Sequence, residues 1–309
     1  MARHMFAGAS TPTGFVDFFG HIMPLDRAKR RYFLKGPSGS GKSTFMKKIA
    51  AGLESAGLDA EFFHCANDAA SLDGLAVSAR GFCVIDATAP HNRDPEIPAA
   101  IDRLIDFAAF VDERKIAGRL GEIKALIHKK RLLSEKAREM LSAAGSVYSA
   151  GRKPGEAGPA RNSLRGISGN PGRRSADRKM FLSAVTPDGL ISFASAALEG
   201  YEVHPADGPA LAGLRDEANA LGLDTESFYD PLAPASLEYL LLPESKTAFA
   251  AGGGPRGELF EKILESAVRL MKESRAAHAG IEEIYISAMD FERVNAATER
   301  TLAEALGFG

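Results

Sequence analysis

The sequence predicts an α/β protein in which a P-loop NTPase-like parallel sheet, flanked by helices, carries a phosphate-binding loop. Residues 36–44 read GPSGSGKST and fit the P-loop pattern G-x-x-x-x-G-K-[ST] at each fixed position. The apolar run 32–34 precedes this loop as a short buried strand, and residues 43–53 follow it with the apolar period of a helix. Segments around the loop also recur later in the chain, which indicates an internal duplication with a degenerate second α/β half.

The loop contains the residue types that phosphate binding needs. Glycines adopt backbone torsions closed to other residues, so that successive amides can point at one phosphate near the positive end of the following helix. Lys42 is predicted to reach phosphate oxygens, and Ser43 to ligate Mg²⁺. The alternative is an ordinary glycine turn before a helix. The candidate nucleotide-binding residues are Gly36, Pro37, Ser38, Gly39, Ser40, Gly41, Lys42, Ser43 and Thr44.

The composition is typical of a soluble globular protein. The chain has 309 residues, 45% hydrophobic and 25% charged, with a net charge of −2. This length accommodates two domains, and the near-neutral charge does not favour a nucleic-acid partner. The two cysteines, Cys65 and Cys83, indicate a reducing compartment rather than a disulfide framework. We find no secretory signal and no apolar stretch of about 18 residues that could span a membrane, so we expect a cytoplasmic protein.

A run of polar residues follows the second predicted strand, residues 60–65. Ligands of open α/β sheets bind at the carboxyl ends of strands, so this run is predicted to be a loop that faces the nucleotide or a second substrate. The alternative is a helix that begins with a cap from Asp68 or Ser71. The polar run contains Asn67, Asp68, Ser71, Asp73 and Gly74.

Residues 82–86, FCVID, form a predicted apolar strand that ends in a carboxylate, which is the Walker B pattern. Asp86 is therefore predicted to hold Mg²⁺ together with Ser43. The next residue is Ala87 rather than the glutamate that many ATP-driven motors use to activate water. A catalytic base, if the chain has one, has to come from another segment.

The loop 87–95 offers one candidate for that base. His91 is predicted either to contact phosphate or to accept a proton. The alternative is a polar loop that caps a following helix through Asp94 or Pro95. With Lys42 and Asp86, His91 completes the set of candidate catalytic residues.

The following segment, residues 97–148, has helical periodicity, with Ile101, Leu104, Ile105 and Ala108 on one stripe. Within it, residues 128–131 read HKKR. Such a cluster is typical of a solvated helix face, and the alternative is a lid that presents Arg131 to phosphate. Residues 151–178 are rich in Gly, Pro, Ser and Arg and are predicted to form a flexible basic linker.

The duplication is visible in two pairs of segments. Residues 4–18 align with 179–193 through a shared Thr-Pro-x-Gly turn, and residues 56–75 align with 221–240 through Gly-Leu-Asp and Ser-Leu. The second copy has no Gly-Lys-Ser, and Asp207 stands near the position of Lys42.

The second copy also lacks the Walker B carboxylate, and amphipathic helices are predicted at 255–277 and 291–306. We therefore predict three regions. These are a P-loop domain with a helical extension at 1–150, the linker at 151–178 and a degenerate α/β half at 179–309.

The chain resembles bacterial tandem P-loop proteins, usually labelled ATPase or ATP-binding protein. The residues that carry the resemblance are FLKGPSGSGKSTFMKKIA (33–50), FHCANDAASLDG (63–74), IDATAPHNRDP (85–95), FLSAVTPDG (181–189) and Met289-Asp290-Phe291. The resemblance implies ATP binding by two P-loop-type halves. Family members generally keep a second glycine loop, and this chain lacks it.

The sequence thus favours a Mg²⁺-dependent ATPase. The alternatives are a kinase that passes phosphate to a small acceptor, or a non-enzymatic ATP-dependent switch that docks a small-molecule or protein partner. The chain has no Asn-Lys-x-Asp guanine motif and no Leu-Ser-Gly-Gly-Gln transporter signature, which disfavours a GTPase and a transporter ATPase.

Overall fold

The computed structural model describes residues 2–151, 164, 167–252 and 256–307. Its contacts divide the chain into two compact units. Unit 1 comprises Met1–Ala7, Phe19–Lys136 and Arg269–Gly309, and unit 2 comprises Gly8–Phe18 and Ala137–Val268. Both units draw on distant parts of the chain, so they cross the boundaries predicted at residues 150 and 179.

The described residues contain both α-helices and β-strands. The strands are β1 (Arg3–Met5), β2 (Gly8–Thr11), β3 (Gly14–Asp17), β4 (Arg30–Lys35), β5 (Glu61–Cys65), β6 (Asp68–Val77), β7 (Phe82–Asp86), β8 (Asp102–Asp106), β9 (Asp177–Met180), β10 (Ser183–Thr186), β11 (Gly189–Ser192), β12 (Glu202–Ala206), β13 (Thr225–Asp230), β14 (Ala233–Leu242) and β15 (Thr247–Ala251). The helices are α1 (Lys42–Ser55), α2 (Glu113–Ala117), α3 (Leu120–Gly151), α4 (Ala194–Ala197), α5 (Gly208–Ala220), α6 (Glu258–Ile286) and α7 (Phe291–Gly307). Within the described ranges, no helix combines the length and the apolar character needed to cross a membrane.

The main sheet of unit 1 has six strands in the order β1-β5-β6-β7-β4-β8. The α/β class is confirmed, but the prediction of a parallel sheet is wrong in one strand. β6 runs antiparallel to β5 and β7, whereas the other pairs are parallel. β6 follows β5 after only Ala66 and Asn67, and a connection this short permits only antiparallel pairing.

The polar run at 67–74 was predicted as a loop or a capped helix, and both interpretations are wrong. Residues 68–77 form β6. β6 lies between β5 and β7, and its polar first residues lie where β5 and β7 end, so that Asp73 is 3.4 Å from His91.

The helix predicted from residue 97 is wrong at its beginning. Residues 102–106 form β8, an edge strand that pairs in parallel with β4, and α3 begins only at Leu120. Asp102 is 1% exposed, and both of its carboxylate oxygens accept hydrogen bonds from Arg31, which compensates the cost of a charge in the core. Leu104, predicted on the apolar stripe, is 52% exposed.

The core of unit 1 lies between one face of this sheet and helices α1 and α7. Every second residue of β4 and β7 points into it, in agreement with strand periodicity. The buried members include Tyr32, Leu34, Phe45, Ile49, Leu53, Phe82, Val84, Val294 and Ala297. This packing fixes the carboxyl ends of β4 and β7 next to the first turn of α1.

Unit 2 contains a second sheet, with five strands in the order β12-β15-β14-β13-β9. β14 runs antiparallel to β13 and β15, and the outer pairs are parallel. Helix α5 packs on this sheet through Leu211 and Leu214, in a core that also contains Leu240 and Phe249.

Part of the predicted linker belongs to this core. Residues 152–163, 165 and 166 lie outside the described residues. Leu164 is buried in the core of unit 2, and Arg173 forms ion pairs with Asp224 and Glu244 at 2.8 and 2.9 Å. Leu164 and the described residues from 167 onward therefore differ from the expected loose tether, because Leu164 and Ile167 pack on the core and Arg173 is held by two ion pairs.

Candidate functional site

The glycine-rich segment that matches the P-loop pattern lies between β4 and α1, the position that the sequence predicts for it. A Cβ at Gly36, which has a φ of +152°, would lie 2.6 Å from the Cβ of Phe107, so only glycine fits at the first loop position. Helix α1 begins at Lys42, and its N-cap Gly41 has a left-handed conformation without a side-chain cap. The first amides of this helix are thus available to an anion.

Lys42 is buried at the centre of the site. Its ammonium donates hydrogen bonds to the carbonyl oxygens of Gly36 and Pro37, at 2.7 and 2.9 Å. Its Nζ atom lies 3.7 Å from Oδ2 of Asp86, at the end of β7. The lysine and the Walker B carboxylate, far apart in the sequence, are therefore brought together at one sheet edge.

Asp86 is held in an environment that disfavours its negative charge. Burial raises the pKa of Asp86 above its ordinary value, Asp73 adds to this effect, and Lys42 and the amide of Thr88 oppose it. A buried carboxylate of this kind gains from a nearby cation. The environment of Asp86 therefore fits a role as a metal ligand.

Ser43 follows Lys42 in the first turn of α1. Its hydroxyl oxygen accepts a hydrogen bond from the amide of Leu72 on β6, at 3.0 Å. A hydroxyl oxygen has two lone pairs, so one remains for a metal ion. Among the described residues, no group of three or more His, Cys, Asp and Glu side chains could hold a metal. Ser43 and Asp86 are the residues that would hold Mg²⁺ together with oxygens of the ligand, as is common where Mg²⁺ binds with phosphates.

Ser40 contributes a buried hydroxyl within the loop. The residue is 1% exposed, and its Oγ has no hydrogen-bond partner among the residues that the structure describes. Burial of a hydroxyl without a partner costs free energy. A ligand oxygen within reach of Ser40 would remove that cost.

Thr88 connects the P-loop to the end of β7, a role that the sequence did not reveal. Its backbone amide donates to Oδ1 of Asp86 at 2.9 Å. Its hydroxyl accepts from the amide of Gly36 at 3.3 Å and lies 3.2 Å from the carbonyl oxygen of the same residue. The only signal in the sequence was a hydroxyl residue two positions after the Walker B aspartate.

His91 lies at the same edge of the sheet. Its Nε2 atom is 3.4 Å from Oδ2 of Asp73 on β6, and its ring packs against the ring of Phe19 at 4.3 Å between centroids. The alternative, a loop that caps a helix, is wrong. β8 follows the loop, and Asp94 pairs with Lys35 at 2.5 Å.

The basic cluster at 128–131 divides between solvent and protein. His128 and Lys129 are exposed, and Arg131 pairs with Glu135 one turn along α3, at 2.9 Å. Three of the four residues thus form the expected solvated face. Lys130 is half-buried, and its Nζ lies 2.9 Å from Nδ1 of His278 on α6.

Comparisons with known proteins give no assignment for this site: no protein-family model, no curated protein and no solved structure matches the chain.

Proposed function

We propose that this chain is an ATP-binding P-loop protein that catalyses Mg²⁺-dependent ATP hydrolysis. The observation that carries the proposal is the convergence of Lys42, Ser43 and Asp86 at the carboxyl edge of β4 and β7, where α1 begins without a side-chain cap. A buried ammonium beside free helical amides is complementary to a polyphosphate.

Each residue has a role that follows from its position. Lys42 binds oxygens of the β- and γ-phosphates by exchanging its contacts with the loop carbonyls for contacts with the ligand. Ser43 and Asp86 hold Mg²⁺, which neutralises charge on the phosphate oxygens. Ala87 offers no carboxylate, so we assign the proton acceptor to His91, with Asp73 as the group that orients its ring.

Two other functions use the same site and are separated by one experiment. A kinase would pass the phosphate to a small acceptor, and a switch would bind ATP without turnover and dock a partner. ATP turnover is measured with and without a panel of metabolites, and products are resolved as ADP plus phosphate or as a phosphorylated metabolite. Phosphate release without an acceptor supports hydrolysis. A new phosphorylated metabolite selects the kinase, and tight binding without turnover selects the switch.

Asp86→Asn tests the metal role. The variant keeps the shape of the side chain but removes its charge, so we expect most of the nucleotide affinity to survive while Mg²⁺-dependent turnover is lost. Asp94→Asn is the matched control, because Asp94 is exposed and its partner is Lys35. Calorimetry with and without Mg²⁺ gives the affinities. Wild-type dependence on Mg²⁺ in Asp86→Asn would show that Asp86 is a structural carboxylate.

We further propose that the two sheets arose by internal duplication. Five strands of each sheet support this proposal. Along β1-β5-β6-β7-β4 and along β9-β13-β14-β15-β12, the pairs are in turn parallel, antiparallel, antiparallel and parallel, and the strands follow one another in corresponding chain order. Both β5–β6 and β13–β14 also carry two adjacent register shifts, at Phe63–Cys65 and Phe228–Asp230. We also propose that the chain is related to tandem P-loop proteins and that it is located in the cytoplasm.

The second copy lacks the groups that would bind a phosphate. Only Asp207 separates β12 from α5, where the first copy has the whole P-loop. Its carboxylate accepts a hydrogen bond from the amide of Ala210 at 2.6 Å and so caps the helix. At the position of Asp86, the end of β15, the chain has Ala251.

We expect one ATP per chain. A carboxylate already occupies the N-terminus of α5, and its repulsion of a phosphate costs several kcal/mol, at least about a thousandfold in affinity. Calorimetric titration of the intact chain gives the stoichiometry, and Asp207→Asn serves as the control for charge alone. Two saturable ATP sites, one of them retained in Lys42→Ala, would refute the prediction.

A further inference from the structure

Unit 1 places α6 directly against the tip of the P-loop. A Cβ at Gly39, which has a φ of +77°, would lie 2.5 Å from the carbonyl oxygen of Glu282 and 2.9 Å from its Cα. Only glycine permits this approach of helix and loop. At the other end of the loop, a Cβ at Gly41 would lie 3.4 Å from the ring of Phe291 on α7. Two helices thus border the phosphate-binding loop.

A cluster of three charged or titratable side chains lies on α3 and α6 at this position. Lys130 Nζ is 2.9 Å from His278 Nδ1, and His278 Nε2 is 3.7 Å from Oε1 of Glu282. The hydroxyls of Ser134 and Ser274, 2.8 Å apart, join the same two helices about one turn away. The lysine is therefore positioned by a contact between helices, not by its own helix alone.

The cluster and the P-loop lysine share one electrostatic environment. Burial, Lys130 and Lys42 lower the pKa of His278 to about 4, so its neutral ring can accept a hydrogen bond from Lys130. Burial lowers the pKa of Lys130 as well. Burial and Asp68 raise the pKa of Glu282, against the effects of Lys130 and Lys42. A bound polyanion would be stabilised by the ammonium groups of Lys42 and Lys130.

We propose that Lys130 is a second phosphate-binding cation of the nucleotide site, which α3 presents to the terminal phosphate of ATP and which His278 holds in position. The proposal rests on the proposed function, because it requires that the P-loop binds ATP. Within the described part of the chain, the His278 ring is the hydrogen-bond partner of the Lys130 ammonium. An ammonium has three donors, so Lys130 retains two for a ligand.

The choice of phosphate follows from Lys42. In P-loops this lysine reaches the β- and γ-phosphates, and the cluster adjoins the same loop, because α6 approaches Gly39 at Glu282 and His278 lies between Glu282 and Lys130. The neighbouring Arg131 does not fit the role that the lid interpretation gave it, because its side chain is 77% exposed and paired with Glu135.

The test compares Lys130→Met with Lys129→Met, since methionine keeps an apolar stem and Lys129 is the exposed neighbour on the same helix. Dissociation constants for Mg·ATP and Mg·ADP are measured by calorimetry. We expect Lys130→Met to weaken ATP binding about tenfold to a hundredfold and to leave ADP binding within about twofold. Lys129→Met should match the wild type, and Lys130→Arg should retain most of the affinity.

The outcomes separate this proposal from the function on which it rests. If the wild type binds ATP and Lys130→Met binds it as tightly as Lys129→Met, Lys130 is not a phosphate ligand and the proposed function stands. An equal loss for ATP and ADP overturns the assignment to the terminal phosphate. A wild type that does not bind ATP overturns both proposals.

A second measurement uses the wild type and does not depend on the folding of a variant. The ring proton of His278, assigned by its loss in His278→Gln, is followed by NMR through a pH titration with and without saturating ATP. The groups that act on this ring are Lys130, Lys42, Glu282 and Asp68. A phosphate bound beside it stabilises the imidazolium, so we expect its pKa to rise by at least about one unit. If the pKa of His278 is the same with and without ATP, the proposal is overturned.

Discussion

Lys42→Ala is expected to weaken ATP binding at least about a hundredfold, because it removes the buried ammonium that we propose makes charge-assisted hydrogen bonds to phosphate. In the free protein the same ammonium is shared by two loop carbonyls and lies beside Asp86. Calorimetry at fixed Mg²⁺ and salt concentration measures the loss. Unchanged affinity would overturn the P-loop assignment.

The control for Lys42→Ala is Lys48→Ala, one and a half turns along α1. Lys48 is exposed and donates to Oδ1 of Asn295 at 2.8 Å, so its loss should leave nucleotide affinity unchanged. Since Lys42→Ala also leaves Asp86 without its cation, Lys42→Met/Asp86→Asn is a second variant that removes both charges. If this double variant melts near the temperature of the wild type and still binds ATP weakly, the weak binding results from the missing lysine and not from unfolding.

Asp102→Ala is expected to destabilise unit 1 by about 3–5 kcal/mol, because it leaves the buried guanidinium of Arg31 without its main partner. Arg31 Nε and Nη2 donate to the two carboxylate oxygens at 2.7 and 2.9 Å. The amides of Glu96 and Ile97 donate to the same carboxylate at 2.7 and 2.8 Å. The variant therefore removes the side-chain bonds between β8 and β4 and the two bonds that hold the turn before β8, while the backbone pairing of the two strands remains.

The matched control, Glu96→Ala, removes a second carboxylate from the same arginine. Its side chain is 62% exposed, so we expect a cost of at most about 1 kcal/mol. Urea denaturation measures the free energy of unfolding of both variants. Equal losses would contradict the conclusion that the buried pair of Arg31 and Asp102 is the stabilising one.

The pH dependence of stability gives an independent check on Asp102. Burial acts to raise the pKa of Asp102, but the hydrogen bonds from Arg31 and the two amides outweigh it and hold the pKa below its ordinary value. This stabilisation is present above the unfolded pKa of 3.8 and is lost as the pH falls through the folded value. Asp102→Ala should remove that acid sensitivity.

Local patterns predicted the elements that surround the glycine loop. Strand β4, the loop and α1 lie where the sequence places them, because a glycine loop between an apolar strand and an amphipathic helix is determined by neighbouring residues. Asp86 likewise ends β7 as predicted. The observed distances bring Lys42 and Asp86 together, whereas their binding functions stay predictions.

Long-range pairing explains what the sequence did not reveal. β8 has apolar residues at helical spacing, but its backbone pairs with β4, 71 positions earlier in the chain, and Asp102 and Arg31 form a buried ion pair across the two strands. The start of β6 is polar because it borders the site. Lys130 looks like its exposed neighbours in the sequence, and the contact that distinguishes it joins residues 148 positions apart. A local pattern carries no information about such partners.

The packing of α7 on α1 has a consequence for the order of folding. Lys48 contacts a residue 247 positions later in the chain, and a Cβ at Gly52 would lie 2.5 Å from a methyl group of Leu302. During synthesis, the face of α1 that α7 covers is made long before its partner. Unit 1 therefore closes late, and its high contact order predicts slow folding with α1 transiently exposed to aggregation or to chaperones.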